Sequence, residues 1–189
     1  MLSLISKPIV IFLAVILAGV GVVLKTKSRQ IPKQPAPLRI AVGTDELEVS
    51  LSSDSLEKKR GEIFEAQIKL TNSAKKDKEI RVGGVDLQFD QEVLEPLGIS
   101  CGESLPVTVQ NKAEGDKIYL VCFLSMSRKT IKISPGGEVI LGKINFQVNS
   151  EARGGDTVVS FTRSNFPEAE TDVNLSSGGK GLTYLIETE

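Results

Sequence analysis

The chain has no histidine, no tryptophan, only two tyrosines and only two cysteines among its 189 residues. Without histidine it lacks the usual general base, any Ser–His or Cys–His catalytic pair and the commonest metal ligand. Two cysteines with no histidine do not assemble a zinc site. Without tryptophan, a flat platform for sugar rings has to come from Tyr119, Tyr184 and seven phenylalanines. Phe64, Phe89, Phe146 and Phe161 fall on core positions of the strand pattern below and Phe12 lies in an apolar N-terminal run, which leaves Phe123 and Phe166. Acidic side chains are missing up to residue 39, a stretch that holds six of the 23 Lys and Arg; the remainder carries 17 basic against 24 acidic side chains, a net of −7. Such a body is repelled by phosphate backbones, which excludes nucleic acid as a partner. No helical hydrophobic period is present after residue 38.

The N-terminal run is the longest apolar stretch. Pro8 to Leu24 contains no charged or strongly polar side chain, and with Leu2-Ser3-Leu4-Ile5 before it the segment approaches the ~20 residues that cross a bilayer. A buried core helix would keep a polar face, and this segment has none. We read residues 1–7 as a flank and 8–24 as a single transmembrane anchor. A cleaved signal peptide is the competing reading. Gly19-Val20-Gly21 offers small residues for cleavage, but the apolar run continues through Val22-Val23-Leu24. Residues 25–38 form a basic, proline-rich linker. Pro32, Pro35 and Pro37 favour an extended spacer, and its cations reach lipid headgroups at most. Lys7 stands before the apolar run and Lys25, Lys27 and Arg29 directly after it, an asymmetry that taken alone places the following domain in the cytoplasm.

Residues 39–189 read as strands. Leu47, Val49 and Leu51 alternate with Glu48 and Ser50, and Phe64, Ala66, Ile68 and Leu70 alternate with Glu65, Gln67 and Lys69. Lys58-Lys59-Arg60-Gly61 reads as a charged turn. Val107 to Val109 is a short strand, and Ile118 to Leu124 is apolar on both sides, as in a central strand. Ile140, Gly142, Ile144, Phe146 and Val148 line one face; Thr157, Val159 and Phe161, then Val173 to Leu175 and Leu182 to Ile186, complete the set. The spacing predicts an all-β fold, an antiparallel β-sandwich of about nine strands.

The most informative segment runs from Gly84 to Leu94. Val85, Leu87 and Phe89 alternate with Asp86, Gln88 and Asp90, after which Gln91-Glu92 leads into Val93-Leu94 and a return strand closing on Cys101-Gly102. Asp90 suits the stop, because its carboxylate can accept an N–H two or three residues on. This segment resembles the cohesin domain family, in which a strand ends in a Tyr-Asp-Pro-like turn followed by Val-Leu, and a glycine closes the next strand. Phe89-Asp90-Gln91, Val93-Leu94 and Gly102 stand in the matching places, with Gln91 replacing the proline. Gly61 to Leu70 and Gly137 to Val148 are similar to the family's second strand and to its late strand ending in Phe-x-Val, so that the likeness spans roughly Leu47 to Ile186.

The resemblance implies a jelly-roll sandwich of the kind shared with carbohydrate-binding modules, acting outside the cell as a non-catalytic module for dockerin-bearing or other proteins. It therefore argues for a single-pass membrane protein with an extracytoplasmic domain, against the charge asymmetry. The family's polar contact pair falls here on Val82 and Gly84, which cannot supply the hydrogen bonds. If the same face binds protein, the candidate contacts are Arg81, Asp86, Gln88 and Tyr119. The alternative is a carbohydrate-binding module that serves polysaccharide attachment or breakdown.

Little else suggests chemistry. Asp86 and Asp90 share a face about 13 Å apart by strand rise, whereas glycoside hydrolysis needs carboxylates roughly 5 to 9.5 Å apart. Asp54, Glu57, Asp77 and Glu79 lack calcium-loop spacing, and Ser125, Ser127 and Ser160 lack a base. We expect no enzyme, no cofactor and no metal. Cys101 and Cys122 both lie in expected strands. They read either as one disulfide formed outside the cytoplasm or as two small buried apolar side chains.

Overall fold

A computed structural model describes residue 44 and residues 46–188. The expected flank 1–7, anchor 8–24 and linker 25–38 lie outside the described residues. Thirteen strands are present among the described residues, in two facing sheets and one small ribbon. The first sheet has the order β12 (Gly179–Lys180), β1 (Leu47–Ser53), β3 (Ile63–Asn72), β10 (Glu138–Val148), β6 (Leu94–Cys101). The second has the order β2 (Glu57–Lys59), β13 (Leu182–Glu187), β11 (Gly155–Asn165), β5 (Val82–Gln88), β8 (Lys117–Phe123), β7 (Val107–Glu114). The ribbon pairs β4 (Lys78–Ile80) with β9 (Ile131–Ile133).

Alternation builds the core as expected for half-buried strands. Val49, Ala66, Ile68 and Leu70 from the first sheet meet Val85, Leu87, Ile118, Leu120 and Val159 from the second, all buried. Each of the larger aliphatic side chains among them contributes about 1.5–3 kcal/mol on leaving water. At one end the filling is aromatic: Phe64 lies with its centroid 5.7 Å from Phe146 and 4.9 Å from Tyr184, and Phe89 lies 5.8 Å from Phe146.

The structure departs from the sequence reading at several points. The strands outnumber the expected nine because β2, β4, β9 and β12 are only two or three residues long. Pairing is not wholly antiparallel: β12 runs parallel to β1, and β2 parallel to β13. Both are corner pieces, formed where the chain crosses from one sheet to the other. The segment after Asp90 is not a return strand on β5. It becomes β6 and pairs with β10 in the opposite sheet, so the Asp90 turn is a crossover. A bulge between Ile140 and Gly142 turns Leu141 into the core and leaves Ile140 half-buried. Val173 to Leu175 forms no strand, only one bridge between Pro167 and Asn174. Lys58, read as part of a charged turn, is 1% exposed.

Cys101 on β6 and Cys122 on β8 are joined as a disulfide across the two sheets, with Cα atoms 5.7 Å apart.

Candidate functional site

The outer face of the second sheet is formed by alternate residues of β11, β5, β8 and β7. Register fixes the rows, since cross-strand partners project to the same side. On β5, Val85 and Leu87 point into the core, so Val82, Gly84, Asp86 and Gln88 point out. Their partners on β8 are Phe123, Val121, Tyr119 and Lys117. On β7 the rows continue to Val107, Gln110, Lys112 and Glu114. On β11, Asn165 stands beside Gly84, Arg163 beside Asp86 and Ser160 beside Gln88.

This face has two chemically distinct ends. At the Gln88 end it is polar and internally paired. Gln88 Nε2 donates to Asp116 Oδ2 at 2.8 Å. Lys112 Nζ stands 5.2 Å from the Tyr119 ring centroid and donates to Glu114 Oε2 at 2.8 Å. That hydrogen bond holds the Lys112 ammonium above its usual range and the Glu114 carboxyl below its own. At the Val82 end the face is mainly apolar: Phe123 and Val107 are 40% and 43% exposed, Val82 and Val121 are half-buried, Gly84 adds no side chain, and Gln110 and Asn165 are the polar flanks of that row.

Of the expected contact residues, the structure brings together three. Asp86 lies directly across from Tyr119, and Gln88 is next on the same face. Arg81 is not with them. It precedes β5, about 16 Å along the strand from Asp86, and lines a shallow depression with Phe123, Met126, Arg128 and Lys129. Sequence reasoning missed the apolar end. The signal lies in Val121 and Phe123, which follow Tyr119 at a spacing of two, but a strand that is apolar on both sides does not reveal which side is outward. The three form the outward stripe of a strand whose buried side is Ile118, Leu120 and Cys122.

Asp90 sits beyond the end of β5, in the turn. Its Oδ1 accepts the Glu92 N–H at 3.0 Å and its Oδ2 accepts from Arg153 Nη2 at 3.1 Å. Both oxygens are thereby engaged in holding the crossover, and Asp86 with Asp90 makes no carboxylate pair for hydrolysis. Among the described residues no three His, Cys, Asp or Glu side chains converge as metal ligands. Among the described phenylalanines only Phe123 is exposed, and Phe166 is fully buried. A row of aromatic rings for sugar stacking is not formed there.

Comparison with known proteins bears on the fold and the family. No curated protein matches the chain. Among solved structures it is similar to a type I cohesin from Pseudobacteroides cellulosolvens, at 16% identity and a TM-score of 0.61 over 76% of this chain and 93% of that one. It is also similar to the cohesin of a type I cohesin–dockerin complex from Clostridium thermocellum, at 10% identity and a TM-score of 0.59 over 75% of this chain and 99% of that one. A non-cellulosomal cohesin from the archaeon Archaeoglobus fulgidus matches at 14% identity and a TM-score of 0.55, covering 76% and 92% respectively. At these identities the likeness shows the fold. The family is shown by the match of residues 49–178 to the model of the cohesin domain, and the chain belongs to the cohesin domain family.

Proposed function

We propose that this cohesin domain is a non-catalytic binding module that presents the outer face of β5, β8 and β7 to a dockerin-like protein, with Asp86, Gln88 and Tyr119 among the contacts and Arg81 at the rim. The observation that carries this reading is the face itself. It bears half-exposed Tyr119 and Val121 beside Asp86 and Gln88, and no catalytic set accompanies it among the described residues. Two of the similar solved cohesins, both from Clostridium thermocellum, were captured in complexes with dockerins. Residues 8–24 would anchor the module in a membrane, and the 25–38 spacer would hold it off the surface on the extracytoplasmic side. The Cys101–Cys122 bridge supports an oxidising compartment.

The test is binding of the full chain to a panel of purified dockerins by calorimetry. We expect a binder, with Tyr119→Ala weakening it about tenfold and Leu97→Ser, on the opposite sheet, leaving it unchanged. A panel without a binder, or a binder indifferent to Tyr119, refutes the assignment of this face. For topology, the thiols are labelled in intact cells. Free thiols that react only after the inner membrane is permeabilised refute the extracytoplasmic placement.

A further inference from the structure

The apolar end of the face continues into a basic loop. Between β8 and β9 the chain turns with Arg128 N–H donating to Ser125 O at 3.0 Å and the Ser125 and Ser127 hydroxyls bonded at 2.8 Å. The turn leaves Met126 with no protein cover, at 104% exposure. Arg81, Arg128 and Lys129 ring the same depression, of about 530 Å³, and no carboxylate lines it. None of the three makes an ion pair or a side-chain hydrogen bond among the described residues. From residue 40 on the body carries a net charge of −7, so this cluster opposes the sign of the molecule as a whole. A negatively charged partner is therefore turned away from most of the surface and drawn to this end.

We propose, resting on the face assigned above, that Val82, Val121, Phe123, Val107 and Met126 seat the apolar ridge of an acidic amphipathic helix in the partner, whose carboxylates face Arg81, Arg128 and Lys129. A helix is favoured over an added strand for two reasons. The neighbouring sheet edge, β7, is broken by a bulge between Thr108 and Gln110. Asn111 Nδ2 on that strand reaches over to the carbonyl oxygen of Ile99 on β6 at 3.0 Å, so β7 is engaged with the opposite sheet. An interrupted edge is a poor template for strand addition. The face presents side chains instead of backbone groups, and an apolar strip with a charged rim fits the ridge of a helix. Methionine adapts to the ridge it meets, and the cations set its polarity and orientation. A lipid surface is the less favoured occupant, because Val82 and Val121 are half-buried and Met126 is the one fully exposed apolar side chain of the set.

The test uses three synthetic helical peptides that share one Leu/Ile ridge and differ in flanks of Glu, Gln or Lys. Each is titrated by fluorescence anisotropy against the full chain in nanodiscs of zwitterionic lipid, at low and high salt. We expect the Glu-flanked peptide to bind about tenfold more tightly than the Lys-flanked one, with the gap closing at high salt. The double variant R128E/K129E reverses that preference, and Phe123→Ser weakens every peptide, while the urea midpoints of these surface variants stay at the wild-type value. Equal binding of Glu and Lys peptides, or binding of none, overturns the proposal. So does preferential capture by phosphatidylglycerol vesicles that is lost in R128E/K129E, which assigns the surface to lipid. A dockerin that binds wild type, R128E/K129E and Phe123→Ser alike overturns this inference and leaves the dockerin reading standing. Binding of the Glu peptide without any dockerin supports the inference and defeats that reading.

Discussion

Lys58 shows how one residue can combine a buried stem with a paired charge. Its Nζ lies 2.9 Å from Asp54 Oδ1, 3.3 Å from Glu62 Oε1 and 4.8 Å from the centroid of the Phe64 ring. The methylenes pack under the sandwich while the ammonium meets carboxylates at its rim. The hydrogen bond from Lys58, followed by those from the Ser55 N–H and the Ser53 hydroxyl, holds the Asp54 carboxyl down at about 2. Lys58→Met keeps the stem and is expected to unfold within about 1 kcal/mol of wild type at neutral pH, whereas Lys58→Ala is expected to lose about 2–3 kcal/mol. The pH dependence follows from the depressed carboxyl. Its contribution is complete above the ordinary carboxyl range near pH ~4 and disappears as pH falls through about 2. Lys58→Met removes the cation, so its urea midpoint should fall less steeply than wild type over that acid window. Parallel acid limbs in the two proteins would show that the pair is not coupled. Tyr184 poses the opposite case. It is fully buried, its hydroxyl makes no hydrogen bond of good geometry, and desolvation, opposed only by a weaker interaction with the Ser53 side chain, pushes that hydroxyl up to about 12. Tyr184→Phe removes an unsatisfied polar atom and keeps the ring 4.9 Å from Phe64, so we expect unchanged or up to about 1 kcal/mol greater stability by urea unfolding.

At the scale of the element, β6 and β10 show what glycine does at a close approach. A Cβ on Gly102 would collide with the carbonyl oxygen of Ile140 and lie 3.0 Å from its carbonyl carbon, both backbone atoms of the neighbouring strand. Gly102→Ala must displace β10, at an expected cost of about 1–3 kcal/mol. Gly98, within β6, meets only the flexible Asn145 side chain, at 3.7 Å, so Gly98→Ala serves as the control and should change the urea midpoint little. These strands also mark the limit of what the sequence reveals. β1, β3 and β5 were legible because one buried face imposes strict alternation, and Gly102 was legible as the glycine that closes a strand. The bulge in β10 was not, since one extra residue shifts the inward set from Ile140 to Leu141 without altering composition. Nor was the length of β7, which is exposed along most of its course and so carries no alternation beyond Val107 to Val109. The Asp90 turn was read correctly as a turn and incorrectly as a hairpin. Its capping bonds are local, but the choice between pairing β6 with β5 or with β10 depends on contacts distant in sequence. Asp86, Gln88 and Tyr119 were legible as outward residues, while the apolar end beside them required knowing which side of β8 is buried.

In the whole molecule, two sheets held mainly by non-directional packing are also joined by one covalent link. Cys101 and Cys122 stand 21 residues apart in sequence and connect β6 of one sheet to β8 of the other. Closing a loop of that length restricts the unfolded chain and is worth about 3 kcal/mol by loop entropy. Reduction, or the double variant C101A/C122A, should therefore lower unfolding stability by about 2–3 kcal/mol with the far-ultraviolet circular dichroism unchanged. An undiminished stability after verified reduction would show that packing alone fixes the sheets. The link has a second consequence because of where it sits. Cys122 points inward and its neighbour Phe123 points outward at the apolar end of the binding face. The bridge thus anchors from below the strand end that displays Phe123, and Cys122 is flanked on its own sheet by Gly83 and Thr108. Losing it frees that corner before it frees the Gln88 end, where β8 is still held through Ile118 and the Asp116 contact with Phe89 N. Affinity for a helix seated on Phe123 should accordingly fall on reduction, and the response of Tyr119→Ala to reduction should match that of wild type. A titration of wild type and Tyr119→Ala with and without reductant separates the two ends of the face. Loss confined to contacts at Tyr119 would place the partner's main anchor at the polar end instead.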